Sequence, residues 1–527
     1  MTGRQEGYRA FSDILNDLGT RFQNKVFLES IDDDRNITYG QFNEVCNRLT
    51  HFLQLKGVKA NERIVIIGPN SIEWLIIFFG TLKYGATIVP LFEEYSHDQI
   101  RNLVNRISPR FIFWSAELVK PLAEVCPGES LSFGHRGGLA GTGAGLFSLL
   151  KAMPGESPAR SGATKDDIAV INATSGTMEE PRCVLRSYES FFCQAQGIIE
   201  RWGLNEQQVV LEYRSFSWLS AEALTITPSL FSGATVVIAK KFSRSRYFAW
   251  LARYQVTISV GVPAVISMLL ERPVDVKGED FPALRFITSS SASLLPEKQK
   301  EFERQYHIPL VQLMGMTEVV WVALNSPERR KMGSVGRPVA VTTITIRDGE
   351  GKILGPGVEG DIVVEGKNVG QGYLLAGGRV ESFAPNGRFQ TGDIGYLDEE
   401  GYLYVTGRKK NLIIRGGLNI SPLHVNNVLS KHPCVHEAET IGVPDQIYGE
   451  EAICFVTLRP GCMATNEELL AYCVSQFPRQ MLPKEVFILE SMPRNARGKV
   501  DKSALFEIYS AKQRDLLAPT HKLQSLG

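Results

Sequence analysis

The sequence predicts an α/β protein whose large N-terminal region contains parallel-rich sheets flanked by helices and a small β-barrel-like layer, followed by a smaller, mobile α+β C-terminal domain. As far as Met314, buried-strand runs alternate with helix-length apolar patterns, which favours parallel sheets covered by helices. From about Val341 the pattern changes to short alternating strands separated by glycines, which is typical of antiparallel layers. The 527 residues allow about three or four folding units of ordinary size.

The alternation of strands and helices is clearest in three βαβ units. The first has a strand over residues 63–68, a helix over 70–84 capped by Asn70 or Ser71, and a strand over 87–91. The same order recurs in segments 235–239, 246–254 and 257–262, and again in segments 285–289, 296–306 and 309–314. These units predict the helix-covered parallel sheets of the N-terminal region.

Two other segments define the organisation of the chain. Residues 126–163 are rich in Gly, Ser, Pro and Ala and predict a surface loop; a dinucleotide-binding GxGxxG is not supported there, because position 146 is leucine. The charged run after Gly407 predicts a boundary between an N-terminal domain of residues 1–407 and a C-terminal domain of residues 408–527. In the latter, Thr465 and Glu468 form a capping box for a helix to about Phe477, and residues 485–489 form a strand.

Composition argues against several classes of function. The 57 Lys and Arg residues balance 57 Asp and Glu residues, so bulk charge indicates neither a nucleic-acid nor an anionic-membrane partner. The eight cysteines form no CxxC pair and have no histidines at metal-ligand spacing, which argues against structural zinc and a disulfide framework. No run has the length of a signal peptide or membrane span, and the last residues match no peroxisomal or lipidation signal, so a cytoplasmic location is expected.

The residues that point to chemistry lie in short motifs. A strand at 168–171 runs into Thr174-Ser175-Gly176-Thr177, whose hydroxyls and backbone N–H groups could supply several donors to a polyphosphate. Taken alone, a polar turn between strands explains this motif equally well, and the GxxxxGK[ST] of a Walker A loop is absent. Further motifs follow in order: Met314-Gly315-Met316-Thr317-Glu318, Thr391-Gly392-Asp393, Gly407-Arg408 and Pro493 to Lys499.

In this order and spacing, the motifs resemble the signatures of the adenylate-forming superfamily, which contains acyl-CoA and aryl-CoA synthetases, peptide-synthetase adenylation domains and luciferases. The closest pattern is that of the acyl- and aryl-CoA ligases, and the resemblance covers nearly the whole chain. Residues 174–177 match the phosphate loop of that superfamily, residues 317–318 its YGxTE motif, and residues 416–422 its GGxNIxP turn. The resemblance implies ATP and Mg²⁺, with CoA or a carrier-protein phosphopantetheine as the acyl acceptor.

The resemblance also implies a role for each matched residue. Lys499 would bridge the substrate carboxylate and phosphate oxygens, and Thr317 would donate to phosphate. Glu318 would be the protein ligand of Mg²⁺, which prefers few carboxylates plus ATP oxygens and water. Asp393 would accept from the ribose hydroxyls, and Arg408 would donate to ribose or phosphate. The other implied ATP and AMP contacts are Thr174, Ser175, Gly176, Thr177, Arg182, Ser291, Ala292, Met314 and Gly315.

The resemblance further implies that the small domain changes position between two half-reactions. Lys410 matches the hinge about which the domain would rotate, bringing Lys499 to the site for adenylation. The turn over residues 415–419 would replace it for thioester formation, where Gly416 and Gly417 would leave space for a thiol-bearing arm.

The chain departs from the family pattern around the nucleotide. The phosphate loop continues as Met178-Glu179-Glu180 rather than Thr-Gly, and carboxylates beside a polyphosphate should repel it unless Arg182 compensates. Residues 290–293 read Ser-Ser-Ala-Ser instead of Gly-Gly-Ala-Pro, and Met314 replaces the aromatic residue that usually lies beside adenine. Altered handling of ATP or pyrophosphate, or the survival of adenylation alone, is therefore a hypothesis to be tested.

The expected acyl pocket contains Phe216, Trp218, Gly261 and Ser290, with Arg214 as the only nearby cation. This lining favours a hydrophobic carboxylic acid over an amino acid, although Phe216 and Trp218 are interpreted equally well as core aromatics. The predicted function is an ATP-dependent acid:CoA ligase that works through an acyl-adenylate. The alternatives are an adenylation-only enzyme that serves a carrier protein or partner enzyme, and a non-catalytic nucleotide- or acyl-binding regulator.

Overall fold

The computed structural model describes residues 8–118, 129–134, 145–158, 162–173, 181–384, 386–495 and 499–517. Within these ranges the chain forms four β-sheets and a set of surrounding helices.

The strands are β1 (Val26–Ser30), β2 (Arg35–Thr38), β3 (Arg63–Ile67), β4 (Thr87–Leu91), β5 (Phe111–Ser115), β6 (Glu129–Phe133), β7 (Ile168–Ala173), β8 (Cys183–Ser187), β9 (Val209–Glu212), β10 (Thr235–Ile238), β11 (Ile258–Ser259), β12 (Phe286–Ser289), β13 (Leu310–Met316), β14 (Val320–Leu324), β15 (Arg337–Pro338), β16 (Thr342–Arg347), β17 (Gly360–Gly366), β18 (Gly372–Leu374), β19 (Val380–Glu381), β20 (Arg388–Leu397), β21 (Leu403–Arg408), β22 (Ile413–Arg415), β23 (Leu418–Ile420), β24 (Val435–Asp445), β25 (Gly449–Leu458) and β26 (Glu485–Leu489).

The helices are α1 (Phe11–Arg21), α2 (Tyr39–Leu55), α3 (Ile72–Tyr84), α4 (His97–Ile107), α5 (Leu146–Leu150), α6 (Tyr188–Trp202), α7 (Leu219–Ala221), α8 (Thr227–Ser232), α9 (Tyr247–Arg253), α10 (Pro263–Glu271), α11 (Pro296–Tyr306), α12 (Pro422–Leu429), α13 (Asn466–Val474) and α14 (Lys502–Leu517). A π-helical turn, Glu222–Ile226, joins α7 to α8.

Two large sheets dominate the N-terminal region. The nine-stranded sheet has the order β15-β14-β13-β12-β11-β9-β10-β1-β2, and its strands from β13 to β1 are parallel. The eight-stranded sheet has the order β19-β18-β8-β7-β4-β3-β5-β6, and its strands from β7 to β6 are parallel. The prediction of parallel-rich sheets is confirmed.

Helix α3 illustrates how local signals and burial combine in this region. The Ser71 hydroxyl caps the helix by accepting from the Trp74 N–H, and Gly85 ends it with a left-handed φ of 90°. All residues of α3 except Tyr84 are buried, and they join the largest core cluster together with residues of α1, α2 and α6. A helix that is buried on nearly every side is enclosed by its neighbours, and its two charged residues have partners: Glu73 accepts from Arg35, and Lys83 donates to Asn16 and Asn43.

The predicted loop over residues 126–163 is wrong where the structure describes it. Strand β6 extends the eight-stranded sheet by pairing in parallel with β5, and α5 buries Leu146 and Leu150 in the core. An edge strand needs backbone pairing more than an apolar pattern, which explains why ESLSF gave no strand signal. The motif Gly141–Gly143 lies outside the described residues. Most predicted bounds differ from the observed ones by one or two residues, and two differ by more: β11 covers only 258–259, and α13 ends at Val474 rather than near Phe477.

The predicted barrel-like layer is an open sheet with the order β16-β17-β20-β21, and within the described ranges its edge strands do not pair with each other. Arg408 ends β21, and Ile413 begins the C-terminal sheet of order β23-β22-β25-β24, to which β26 adds a parallel strand beside β25. The α+β nature of the C-terminal region is confirmed, whereas the boundary at 407/408 and its mobility stay predictions. No helix in the described part of the chain is long and apolar enough to cross a membrane.

Candidate active site

Many of the predicted site residues lie along one edge of the nine-stranded sheet, the edge formed by the carboxyl ends of its parallel strands. The parallel strands β9, β11, β12 and β13 end at this edge, and ligands of open α/β sheets bind outside such carboxyl ends. Arg214 follows β9, Gly261 follows β11, residues 290–292 follow β12, and residues 314–318 end β13 and continue beyond it. The fold therefore brings the predicted acyl-pocket and nucleotide residues to a common edge.

Tyr373 links Glu318 to Arg182 across this site. Its hydroxyl donates a hydrogen bond to Oε1 of Glu318 at 2.8 Å, and the Arg182 guanidinium lies 5.3 Å from the centre of its ring. Pairing of β18 with β8 places Tyr373 opposite Val184. Burial and the Glu318 carboxylate raise the pKa of Tyr373 well above its ordinary value, so its hydroxyl remains a donor at neutral pH.

Asp393 and Arg408 form the next part of the site. They lie opposite each other on β20 and β21, and Nε of Arg408 is 3.4 Å from Oδ1 of Asp393. Burial raises the pKa of Asp393, Arg408 lowers it, and the nearby Glu318 raises it again. The Arg408 side chain is about half exposed, so its guanidinium can also reach a bound ligand.

The carboxylates fit a magnesium ion shared with a polyphosphate better than a site made by protein alone. Within the described ranges, no group of three His, Cys, Asp or Glu residues could hold a metal. Glu318 is half-buried and hydrogen-bonded through one oxygen to Tyr373, and Mg²⁺ commonly takes one or two carboxylates plus phosphate oxygens and water. Glu318 is therefore a suitable single protein ligand.

Two non-glycine residues at the site have a left-handed backbone. Ser291 has a φ of 72° at a position where the resemblance expects glycine, and Val320 has a φ of 67° immediately after the Thr317–Val319 turn. Such conformations cost about 1–2 kcal/mol for residues with a Cβ and persist only where the surroundings impose them. Residues 291–293 are exposed at the sheet edge, where they can contact a ligand.

Two of the predicted site glycines, Gly261 and Gly315, are required by close backbone packing. A Cβ at Gly315 would collide with the Val320 carbonyl and the Trp321 ring, and a Cβ at Gly261 would collide with the Thr288 carbonyl. Packing between strands is thus sufficient to explain why these two positions are glycine. A contact of either glycine with a ligand stays a prediction. Met314 is half-buried beside the core of the four-stranded sheet.

The predicted pocket aromatics are found in different surroundings. Phe216 is buried with its ring 5.5 Å from that of Trp74, in the main core cluster. Trp218 is half-buried beside Phe92 at 5.8 Å between ring centres, and its buried Nε1 has no hydrogen-bond partner. Phe216 therefore resembles a core aromatic, while Trp218 presents an unused donor. Their roles in binding an acid stay predictions.

Several predicted residues lie in or near the C-terminal region. The Lys499 N–H donates to Oδ1 of Asn495 at 3.1 Å, and the Lys499 side chain is exposed. Gly416 and Gly417 have positive φ values and form an exposed turn, and Lys410 is exposed in a 3₁₀ turn after β21. The roles of these residues stay predictions. Thr174, Ser175, Gly176 and Thr177 lie outside the described residues.

Sequence reasoning missed Tyr373, although it directly follows Gly370-Gln371-Gly372, whose two glycines could have marked a close approach of backbone. A Cβ at Gly372 would collide with the Glu381 carbonyl, so the glycine brings β18 and β19 together and orients Tyr373. Of the eight cysteines, Cys126 lies outside the described residues, and none of the other seven is in a disulfide.

The chain is similar to known proteins over almost its whole length. Family models described as "AMP-binding enzyme" and "AMP-binding enzyme C-terminal domain" match residues 16–374 and 424–499. The oxalate–CoA ligase of Arabidopsis thaliana is 30% identical over 517 residues, covering 95% of this chain and 99% of the relative. The indoleacetate–CoA ligase of Aromatoleum aromaticum is 29% identical, covering 91% and 94%.

A solved structure agrees with the fold. The crystal structure of ATP-bound MatB from Rhodopseudomonas palustris superposes with a TM-score of 0.86 at 24% identity, covering 94% of this chain and 99% of that one. The motif resemblance is thereby confirmed at the level of family and fold. The chain belongs to the family of AMP-binding enzymes.

Proposed function

We propose that this protein is an AMP-forming acid:CoA ligase that activates a carboxylic acid with ATP and passes the acyl group to CoA. The observation that carries the proposal is the cluster formed by Glu318, Tyr373 and Arg182 beside the Asp393–Arg408 pair, in a chain of the AMP-binding enzyme family. This cluster offers one carboxylate for a metal, one for ribose hydroxyls and two guanidinium groups for phosphate or ribose oxygens.

In the first half-reaction, a carboxylate oxygen of the acid attacks the α-phosphorus of ATP and pyrophosphate leaves. Asp393 accepts from the ribose hydroxyls, and Arg408 neutralises negative charge near the same end of the nucleotide. Glu318, held by the Tyr373 hydroxyl, is the ligand for Mg²⁺, which when bound neutralises charge on the phosphate oxygens. Lys499 binds the attacking carboxylate and an α-phosphate oxygen, which keeps the reacting atoms together.

In the second half-reaction, the CoA thiol attacks the acyl carbonyl carbon and AMP leaves. We infer that rotation about Lys410 brings the 415–419 turn to the acyl-adenylate, because that turn is exposed and its glycines have left-handed backbones suited to close passage of a thiol-bearing arm. In the present arrangement Arg415 pairs with Glu451 at 2.8 Å and its guanidinium lies over the Tyr448 ring.

The acid is inferred to be hydrophobic. Trp218 and Phe92 provide aromatic surface close to the sheet edge. Gly261 has no side chain and Ser290 has a small one, so neither fills much of the space there. Two relatives that are nearly equally identical to this chain are named for oxalate and for indoleacetate, which differ in size and charge. Sequence similarity therefore does not identify the acid. The substrate must therefore be inferred from the residues of this chain.

The test is acid-dependent exchange of labelled pyrophosphate into ATP across a panel of carboxylic acids, with and without CoA, and mass-spectrometric detection of acyl-CoA. Lys499→Ala is expected to abolish exchange. Lys502→Ala is the matched control, because Lys502 is near in sequence but pairs with Glu439 at 3.0 Å. Exchange without acyl-CoA would limit the enzyme to adenylation for another acceptor, and a holo-carrier protein would then be tested. Absence of exchange with every acid would contradict the proposal.

A further inference from the structure

A buried ion pair lies where the sheet edge meets the predicted acid pocket. Arg214 and Glu212 are 3% and 0% exposed, and the guanidinium donates to the carboxylate from Nε at 3.0 Å and from Nη2 at 2.6 Å. The Thr225 hydroxyl, from the π-helical turn, also donates to Glu212. The carboxylate is therefore fully engaged, and the pair has no net charge.

The same guanidinium also faces the pocket segment after β12. Nη1 of Arg214 has one described contact, to Oγ of Ser290 at 3.5 Å, which is at the limit of a hydrogen bond. The neighbouring Ser289 is buried, and its hydroxyl has no hydrogen-bond partner. This unused polar capacity could be satisfied by one polar atom of a ligand or by a water, because buried polar groups are otherwise paired.

The second buried guanidinium of this region is neutralised in the same way. Arg186 and Glu222 are both almost fully buried and pair directly, and Nε of Arg186 donates to Oδ1 of Asn172 at 2.9 Å. Glu222 lies one turn before Thr225 in the π-helical segment, so both pairs converge on one helix. Each guanidinium is therefore paired with a buried carboxylate, although Nη1 of Arg186 has no hydrogen-bond partner.

We propose that Glu212 sets the substrate class of this enzyme: by neutralising Arg214, it restricts the acid site to monocarboxylic acids whose remainder is uncharged, and excludes acids with a second carboxylate or sulfonate. The proposal rests on the proposed function. A second anionic group would enter a buried region whose cations are already paired, so it would lose its hydration without gaining an ion pair. A neutral polar tail carries no such cost.

The first experiment needs no variant. Exchange and acyl-CoA formation are measured at a pH where both carboxylates are ionised, with three acids of equal chain length: hexanoate, adipate and monomethyl adipate, or longer homologues where wild type prefers them. We expect kcat/KM for the diacid to be lower than for the monoacid on the order of tenfold or more, with the monomethyl ester restoring activity. Equal use of diacid and monoacid overturns the proposal.

The second experiment exchanges the charge. In Glu212→Gln the amide keeps the shape of the carboxylate and Arg214 becomes an unpaired cation, so the monoacid-to-diacid ratio of kcat/KM should fall on the order of tenfold. Adding Arg214→Met should return the ratio to the wild-type value, because the cation is removed again. Thr225→Val is the matched control: it removes a hydrogen bond to Glu212 without changing charge, so the ratio should stay unchanged.

Ligand binding is measured alongside turnover, so that a failure of the Glu212 proposal can be distinguished from a failure of the proposed ligase function. With a non-hydrolysable ATP analogue present, adipate should raise the melting temperature of Glu212→Gln but not that of wild type. If wild type turns over monoacids and Glu212→Gln has the same monoacid-to-diacid ratio of kcat/KM as wild type, the assignment of Glu212 is overturned while the proposed function stands. A wild type without exchange on any acid contradicts the proposed function instead. If Glu212→Gln does not fold, the comparison of the three acids on wild type still decides whether diacids are excluded, and the ratio of the Glu212→Gln/Arg214→Met double variant then tests whether the uncharged pair is sufficient for that exclusion.

Discussion

Replacing Tyr373 by phenylalanine removes one oxygen atom from the site and little else. The hydroxyl donates to Oε1 of Glu318 at 2.8 Å, while the ring packs against Phe383 at 4.8 Å between centres. Phenylalanine keeps that packing and the pairing of β18. Tyr373→Phe therefore tests whether Glu318 must be held by this hydrogen bond to serve a metal-bound nucleotide.

The magnitude follows from the chemistry of the bond. A hydrogen bond to a charged group contributes about 1.5–3 kcal/mol, which corresponds to a loss of about 10- to 150-fold in kcat/KM for MgATP. Because both residues are only half-buried, water can replace the hydroxyl, and the lower end of that range is expected. The free energy of unfolding should change by less than about 1 kcal/mol for the same reason.

The assay is pyrophosphate exchange with the best acid, at varied MgATP and at varied free Mg²⁺. We expect a higher KM for MgATP and a greater need for Mg²⁺ than in wild type. Tyr254→Phe is the control, because Tyr254 follows α9 at the opposite edge of the sheet, ahead of β11. Unchanged kcat/KM and Mg²⁺ dependence in Tyr373→Phe, with unchanged stability, would refute the assignment of Tyr373 and weaken that of Glu318.

Three further outcomes are expected. Gly261→Ala should lower the free energy of unfolding by about 1–3 kcal/mol in urea titrations, because the added Cβ collides with the Thr288 carbonyl; a neutral effect would mean that β11 can move. Burial raises the pKa of Glu93 to about 7, so the folded chain holds this proton more tightly than the unfolded chain does. The stability of wild type relative to Glu93→Gln should therefore fall by about 1–3 kcal/mol as pH rises from about 5 to about 8, and a pH-independent difference would contradict this. Arg459 of the C-terminal region donates to Glu301 of α11, and this ion pair should help to hold the C-terminal region in its present position. Neutralising either residue should therefore raise the rate of thioester formation relative to pyrophosphate exchange, and neutralising both should raise it by the same factor. Additive effects of the two substitutions would show that the pair does not hold the regions together.

Local sequence signals were sufficient where an element is defined by its own residues. Helix α11 begins at Pro296 and ends at Tyr306, as predicted, because proline suits the first helical turn and the apolar positions recur at helical spacing. Strand β26 was also predicted with its observed bounds. At the site, motifs of several consecutive residues located Glu318, Asp393 and Arg408, whose proximity the structure supports.

The two buried ion pairs were not predicted from the sequence, for different reasons. Arg186 and Glu222 are 36 residues apart, and their pairing requires that β8, which carries Arg186, lies beside the π-helical turn that carries Glu222. Arg214 was identified as a cation near the pocket, but its neutralisation by Glu212 requires that both side chains turn to the same side after β9 ends. In an extended strand, residues two apart share a face, so this second pairing was within reach of sequence reasoning.

The left-handed residue Val320 and the glycine Gly315 are two parts of one constraint. Val320 is fully buried, and its carbonyl occupies the space that a side chain at position 315 would need. The strands β13 and β14 are thus pressed together where the register shifts, and the short turn between them must present Thr317 and Glu318 outward. A β-branched residue at positive φ costs about 1–2 kcal/mol, which burial of the Val320 side chain offsets at about 1.5–3 kcal/mol. The turn is therefore fixed by packing beneath it, and the backbone at Glu318, the proposed metal ligand, need not be ordered by a bound ion.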